Sequence, residues 1–164
     1  MKRALWVLLL LLTALAAQAQ ERTLQMPNGA TITYRVVQPG EASAQPVALQ
    51  LVTHLVAGRI DEAAQLSNEP ARRAEVLRDY VALVGDAEFR RVYAQYLAPE
   101  NRVVAEIAMG PRRLIIWDLE TAGHRLAGQY YIEAGGKFLM DDRPGPERLA
   151  LQRVLAEHRK QGKR

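Results

Sequence analysis

Two residue types in this chain could do acid–base chemistry if the fold brought them together: the phenol of Tyr130 and the carboxyl of Asp141. A carboxyl group held in an apolar cavity is pushed toward its protonated form, so it can serve as a base or stay protonated as a donor. A tyrosine beside it can stabilise an oxyanion. Equally, Asp141 stands next to Asp142 at the end of a strand pattern, where a wetted turn would account for both. Of the three histidines, His54 falls on an apolar helical run, where it could face a pocket or be an ordinary hydrogen-bonded boundary residue. His124 sits in a turn, and His158 lies near a helical end, where a cation suits the dipole. No two histidines have metal-ligand spacing, so no metal site and no cofactor are expected. The chain has no cysteine, no glycine-rich phosphate loop and no nucleophile elbow. Tyr80, Tyr93 and Trp117 offer aromatic faces with polar tips, which suit a small-molecule site. Phe89, Tyr93 and Tyr96 also have plain core spacing.

The elements that must position these residues fall into three stretches. "RTLQMPNGATITYRVV" is a hairpin: Asn28-Gly29 tolerates the positive φ of a tight turn, and Ile32, Tyr34 and Val36 alternate with polar residues. From Pro46 the period lengthens to that of a helix. Leu51, Val52, Leu55 and Val56 form one stripe, interrupted at Gly58, and Ile60, Ala63, Ala64 and Leu66 continue it. A third helix runs from Pro70, a favourable first helical residue, to Val84 before Gly85. Asp86 is placed to cap a fourth, carrying Phe89, Val92, Tyr93, Tyr96 and Leu97. "NRVVAEIAMG", "RRLIIWDLE", "RLAGQYYIEA" and "KFLMDD" then form an antiparallel meander with short turns, followed by a helix over "PERLALQRVLAEHRK". No repeat of fixed length appears, which argues against a helical-repeat array. The predicted class is α+β, with helices packed on a curved antiparallel meander sheet.

Turn positions suggest a register. Met109 pairs with Arg113 and Ala105 with Trp117; Trp117 then faces Gly128 and Ile115 faces Tyr130; Ile132 pairs with Leu139 and Tyr130 with Asp141. This assigns Ile115, Trp117, Leu126, Tyr130 and Leu139 to the core face. It leaves Ile116, Tyr131, Phe138 and Met140 on an outer face that reads as a protein-partner surface. A one-residue slip would invert the two faces.

The chain opens "MKRALWVLLLLLTALAAQAQ": a basic start, an apolar run too short for a span, and Ala17-Gln18-Ala19 as a small-x-small site. This predicts a cleaved signal peptide, residues 1–19, with export to the periplasm and no stable membrane anchor after cleavage. The domains expected are then a hairpin over 20–40, an α+β roll over 41–142, and a C-terminal helix with a basic tail over 143–164. Removing Lys2 and Arg3 lowers the formal charge from +4 to +2, so nothing points to nucleic acid. Without cysteine, disulfides and thiolate metal sites are excluded.

The turn Gly58-Arg59-Ile60-Asp61-Glu62-Ala63-Ala64, the helices after it and the long terminal strands resemble the nuclear-transport-factor-two-like superfamily, the cone-shaped roll shared with ketosteroid isomerases. The resemblance spans roughly residues 46–141; the hairpin and the last helix are departures from it. It implies a pocket between helices and curved sheet and dimerisation through the sheet, and it implies little about activity. The function expected is a non-catalytic periplasmic binding module for an envelope protein or a small molecule. A pocket enzyme of isomerase or hydrolase type, using Tyr130 and Asp141, is the alternative. An inhibitor or immunity protein is a third reading.

Overall fold

The computed structural model describes residues 21–162; the expected signal peptide lies outside them. Six strands form one open antiparallel sheet in sequential order: β1 (Glu21–Gln25), β2 (Thr31–Val36), β3 (Arg102–Met109), β4 (Arg112–Leu119), β5 (Arg125–Ala134) and β6 (Lys137–Met140). Between β2 and β3 come α1 (Gln45–Val56), α2 (Ile60–Ala64), α3 (Pro70–Val84) and α4 (Asp86–Ala94); α5 (Pro146–Gln161) follows β6. The class is α+β. Local chemistry sets the helix limits. Proline occupies the first turn of α1, α3 and α5, where a missing N–H costs nothing. Gly58, at φ +71°, closes α1 in the left-handed conformation, and its N–H donates to Leu55 O at 3.0 Å. Asp86 is the first residue of α4 rather than its cap, and its carboxylate pairs with Arg90 at 2.8 Å.

Both faces of the central strands are covered, which the single-core-face reading did not anticipate. α1 to α4 lie on one face, where Ile115, Trp117, Leu119, Ala127 and Tyr131 pack against Ala44 and Ala48. α5 lies on the other, with Leu151, Val154 and Leu155 against Ile107, Leu114 and Ile116. A further cluster fills the space among the helices around Leu51, Leu55, Leu77 and Phe89. A sheet buried on both sides carries apolar residues on both sides, so alternation alone could not tell one face from the other.

The register explains the rest of the difference. The Gly110-Pro111 turn is tight, so Met109 pairs with Arg112 and not with Arg113. An irregularity between Val103 and Ala105 then sets Val103 opposite Trp117 and Ala105 opposite Ile116. Glu120 opens a short helical turn, so β4 and β5 pair from Leu119 and Arg125, and Ile116, not Trp117, faces Gly128. The pairing of Ile132 with Leu139 is as expected. Gly128 makes room for α5: a Cβ there would lie 2.6 Å from Leu155 Cδ2 and 3.0 Å from Leu114 Cδ1.

One buried carboxylate ties helices to sheet. Glu106 accepts the Ala44 N–H at 2.8 Å and the Ser43 hydroxyl at 2.5 Å, satisfying donors at the start of α1 from a strand distant in sequence.

Candidate functional site

Asp141 and Asp142 follow β6 directly and point to different partners. The Asp141 side chain is 1% exposed. Its Oδ1 accepts from Asn68 Nδ2 and its Oδ2 from Arg112 Nε, both at 2.8 Å. That bond and charge push the Arg112 guanidinium further up than its ordinary range. Asp142 turns instead toward α3, where it accepts from Ser67 Oγ at 2.6 Å and Arg73 Nε at 2.8 Å. Asn68 binds both aspartates, since its Oδ1 accepts the Asp142 N–H at 2.8 Å. Backbone bonds from Asn68 to Met140 and from Met140 to Leu66 clamp the α2–α3 loop against β6. The sequences "SNEPARR" and "MDDRPGPER" are thus held as one unit, with every carboxylate oxygen of the aspartate pair engaged.

This unit is the floor of a cleft of about 310 Å³ between the starts of α3 and α5, lined by Arg72, Asp142, Pro144, Arg148, Leu149 and Gln152. A smaller adjoining pocket of about 190 Å³ shares Arg72, Asp142 and Arg148 with it and reaches Arg73 and Val76. Arg148 donates to the Asp141 carbonyl and lies 5.1 Å over the centroid of the Tyr130 ring. Among the described residues, neither Arg72 nor Arg148 forms an ion pair, whereas Arg73, Arg112 and Arg143 beside them all do.

Tyr130 and Asp141 are neighbours, but only through the backbone: the Asp141 N–H donates to the Tyr130 carbonyl at 2.8 Å. The phenol belongs to the α5-side cluster, and the carboxylate is spent on Arg112 and Asn68. Burial pushes the Tyr130 phenol up, against the opposing pull of Arg148. A sealed, doubly bonded carboxylate has no substrate proton within reach, so this arrangement does not form the acid–base pair the sequence suggested.

The other sequence-derived residues are placed as follows. Tyr80 and Tyr93 meet Phe89 edge-on, with ring centroids at 5.7 and 5.0 Å, inside the interhelical core and not around a pocket. Trp117 is sealed beneath Tyr96, its indole N–H donating to Gln129 Oε1 at 3.1 Å. Tyr131 donates to the same oxygen at 3.1 Å, and burial drives its phenol far above the usual tyrosine range. His54 sits on α1 away from the cleft, its Nδ1 buried without a hydrogen-bond partner among the described residues.

The partner-surface assignment is overturned. Ile116 and Tyr131 are wholly buried, and Phe138 and Met140 pack into the cluster beneath α1 to α4. The change of register moved Tyr131, Phe138 and Met140 to that face, and Ile116 lies on the opposite face, beneath α5.

The sequence reading missed Arg72, Arg148, Ser67, Asn68 and Asp142. One faint signal existed: Pro70-Ala71-Arg72 and Pro146-Glu147-Arg148 set an arginine at the third position of two helices. A second grouping was also missed. Asp118, Glu120 and His124 bring candidate ligand atoms within 4.8 Å of one another at the β4–β5 turn, although His124 is largely exposed. No family model matches the chain, and neither curated proteins nor solved structures give a match.

Proposed function

We propose that the chain is an exported, periplasmic, non-catalytic binding module whose ligand site is the cleft between the starts of α3 and α5. The observation that carries this reading is the cleft itself: polar side chains from two helices converge there on a floor fixed by the Asp141–Arg112 and Asp142–Arg73 pairs. A preorganised floor reduces the ordering cost of binding. Elsewhere the faces that a roll would offer are filled: Trp117 is 2% exposed, and Phe89 and Tyr131 are wholly buried. Export is supported by the basic, apolar and small-x-small order of the first nineteen residues.

The test compares the protein, purified from the envelope as the cell processes it, with a Gln152→Trp variant. Gln152 is exposed on α5, so the indole fills the cleft without entering the core. Molecules released on denaturation are read by mass spectrometry. Retention by the native protein and loss from the variant is the expected result. Equal retention by both would remove the cleft as the site.

A further inference from the structure

Resting on the cleft as the binding site, we infer that its ligand is an amphiphilic oxyanion: a carboxylate or phosphate group gripped by Arg72 and Arg148, on an apolar body lying over Leu149, Val76 and Pro144. Three independent features lead there. First, two guanidiniums from different helices line one cleft and lack a carboxylate, while their neighbours are all neutralised. Arginine forks match the paired oxygens of carboxylate and phosphate. Second, the cleft is bordered by apolar side chains that the fold leaves wet: Leu149 is 58% exposed and Val76 is 49% exposed. A bare inorganic anion would leave this surface uncovered, whereas an acyl or aryl body would bury it at about 25 cal/mol per Å². Third, both arginines occupy the third position of their helices, where the helix dipole disfavours a cation. Helix stability therefore does not account for them, and α3 has no acidic residue in its first turn to offset Arg72.

The neighbouring charges set the grip. Arg73 is bound by Asp142 and Arg112 by Asp141 and Glu147, so they hold the floor and leave Arg72 and Arg148 to meet the ligand. Arg148 is already oriented by the Asp141 carbonyl and the Tyr130 ring, so it loses less freedom on binding than a free side chain would. Gln152 borders the same cleft and can donate its amide to a third oxygen.

The experiment measures dissociation constants for dodecyl phosphate below its micelle concentration and for inorganic phosphate, by calorimetry on the intact protein. Dodecyl phosphate should bind at least about tenfold tighter than inorganic phosphate, the equivalent of roughly 1.4 kcal/mol of apolar burial. Arg72→Glu, at an exposed position without a partner, should weaken dodecyl phosphate about tenfold or more, as loss of a charge-assisted hydrogen bond requires. Leu149→Asn should weaken dodecyl phosphate and leave inorganic phosphate unchanged. Sedimentation with phosphatidylglycerol vesicles then separates the sources: Arg72-dependent cosedimentation identifies a bilayer headgroup, and binding of the monomeric amphiphile without vesicles identifies a soluble one. Unchanged affinity in Arg72→Glu would overturn the grip, and equal affinity for the two phosphates would overturn the apolar half. If Gln152→Trp expels a native ligand while no oxyanion probe binds, this inference falls and the binding-module reading stands.

Discussion

Arg112 lies between two carboxylates of very different exposure, and the contrast gives a direct test of the site's foundation. Asp141 holds it at 2.8 Å with 1% of its side chain exposed; Glu147 holds it at 2.6 Å with 50% exposed. Asp141→Ala removes the buried acceptor, leaving the Asn68 amide without its partner and a guanidinium, itself 15% exposed, with only the outer carboxylate. Breaking a buried pair by deleting one partner costs about 3–5 kcal/mol. Glu147 still neutralises part of the charge, so the expected loss is at the lower end, about 3 kcal/mol. Glu147→Ala removes a half-exposed partner and should cost about 0.2–1 kcal/mol. At roughly 2–4 °C per kcal/mol for a chain of this size, the first variant should melt about 6–12 °C lower and the second almost normally. Urea unfolding should be followed by the fluorescence of Trp117, the one tryptophan beyond the first nineteen residues. It sits on the other face of the sheet, so it reports global unfolding and not local loosening. The midpoint should fall with an unchanged slope. Comparable small losses in both variants would mean that the buried pair does not hold β6 to β4, and the rigid floor assigned to the cleft would go with it.

Other consequences are more briefly put. Leu151→Ala deletes a wholly buried side chain between α5 and the sheet and should cost about 2–5 kcal/mol by urea titration; a loss under about 0.5 kcal/mol would mean that α5 does not cover that face. Gly128→Val forces Leu155 and Leu114 aside and should cost at least about 1–3 kcal/mol, with α5 amides losing hydrogen-exchange protection first. Tyr131→Phe should lose about 1 kcal/mol at neutral pH with its bond to Gln129. Because burial raises the Tyr131 phenol, its contribution is whole below about pH 10. Above that the unfolded chain gives up the proton while the folded chain keeps it, and stability falls by up to about 1.4 kcal/mol per pH unit. Tyr131→Phe should flatten this alkaline decline in denaturant titrations run from pH 9 upward, and an equally steep decline in the variant would refute the assignment.

Much of the local structure was legible in the residues. Asn28-Gly29 marks the hairpin turn, Pro46, Pro70 and Pro146 mark helix starts, and Gly58 and Gly85 mark helix ends, because each restricts or frees the backbone within a few residues. The apolar stripe of the last helix, Leu151, Val154 and Leu155, is buried as its spacing required. The site was a different matter. Asp141 invited an acid–base reading, but its role depends on Asn68 and Arg112, which lie 73 and 29 residues away in the chain.

The sequence by itself determined the α+β class, the order of strands and helices and the turns between them, since these follow from periods of two and 3.6 residues and from glycine and proline geometry. Only the tertiary structure decided which face of each strand looks toward which helix. One residue more or less in the turns at Gly110 and Glu120 exchanges the faces, and α5 makes both of them apolar. It also decided that Asp141 is a buried clasp and that Arg72 and Arg148 share a cleft. Pairing and burial depend on contacts between distant segments, and no local pattern records them.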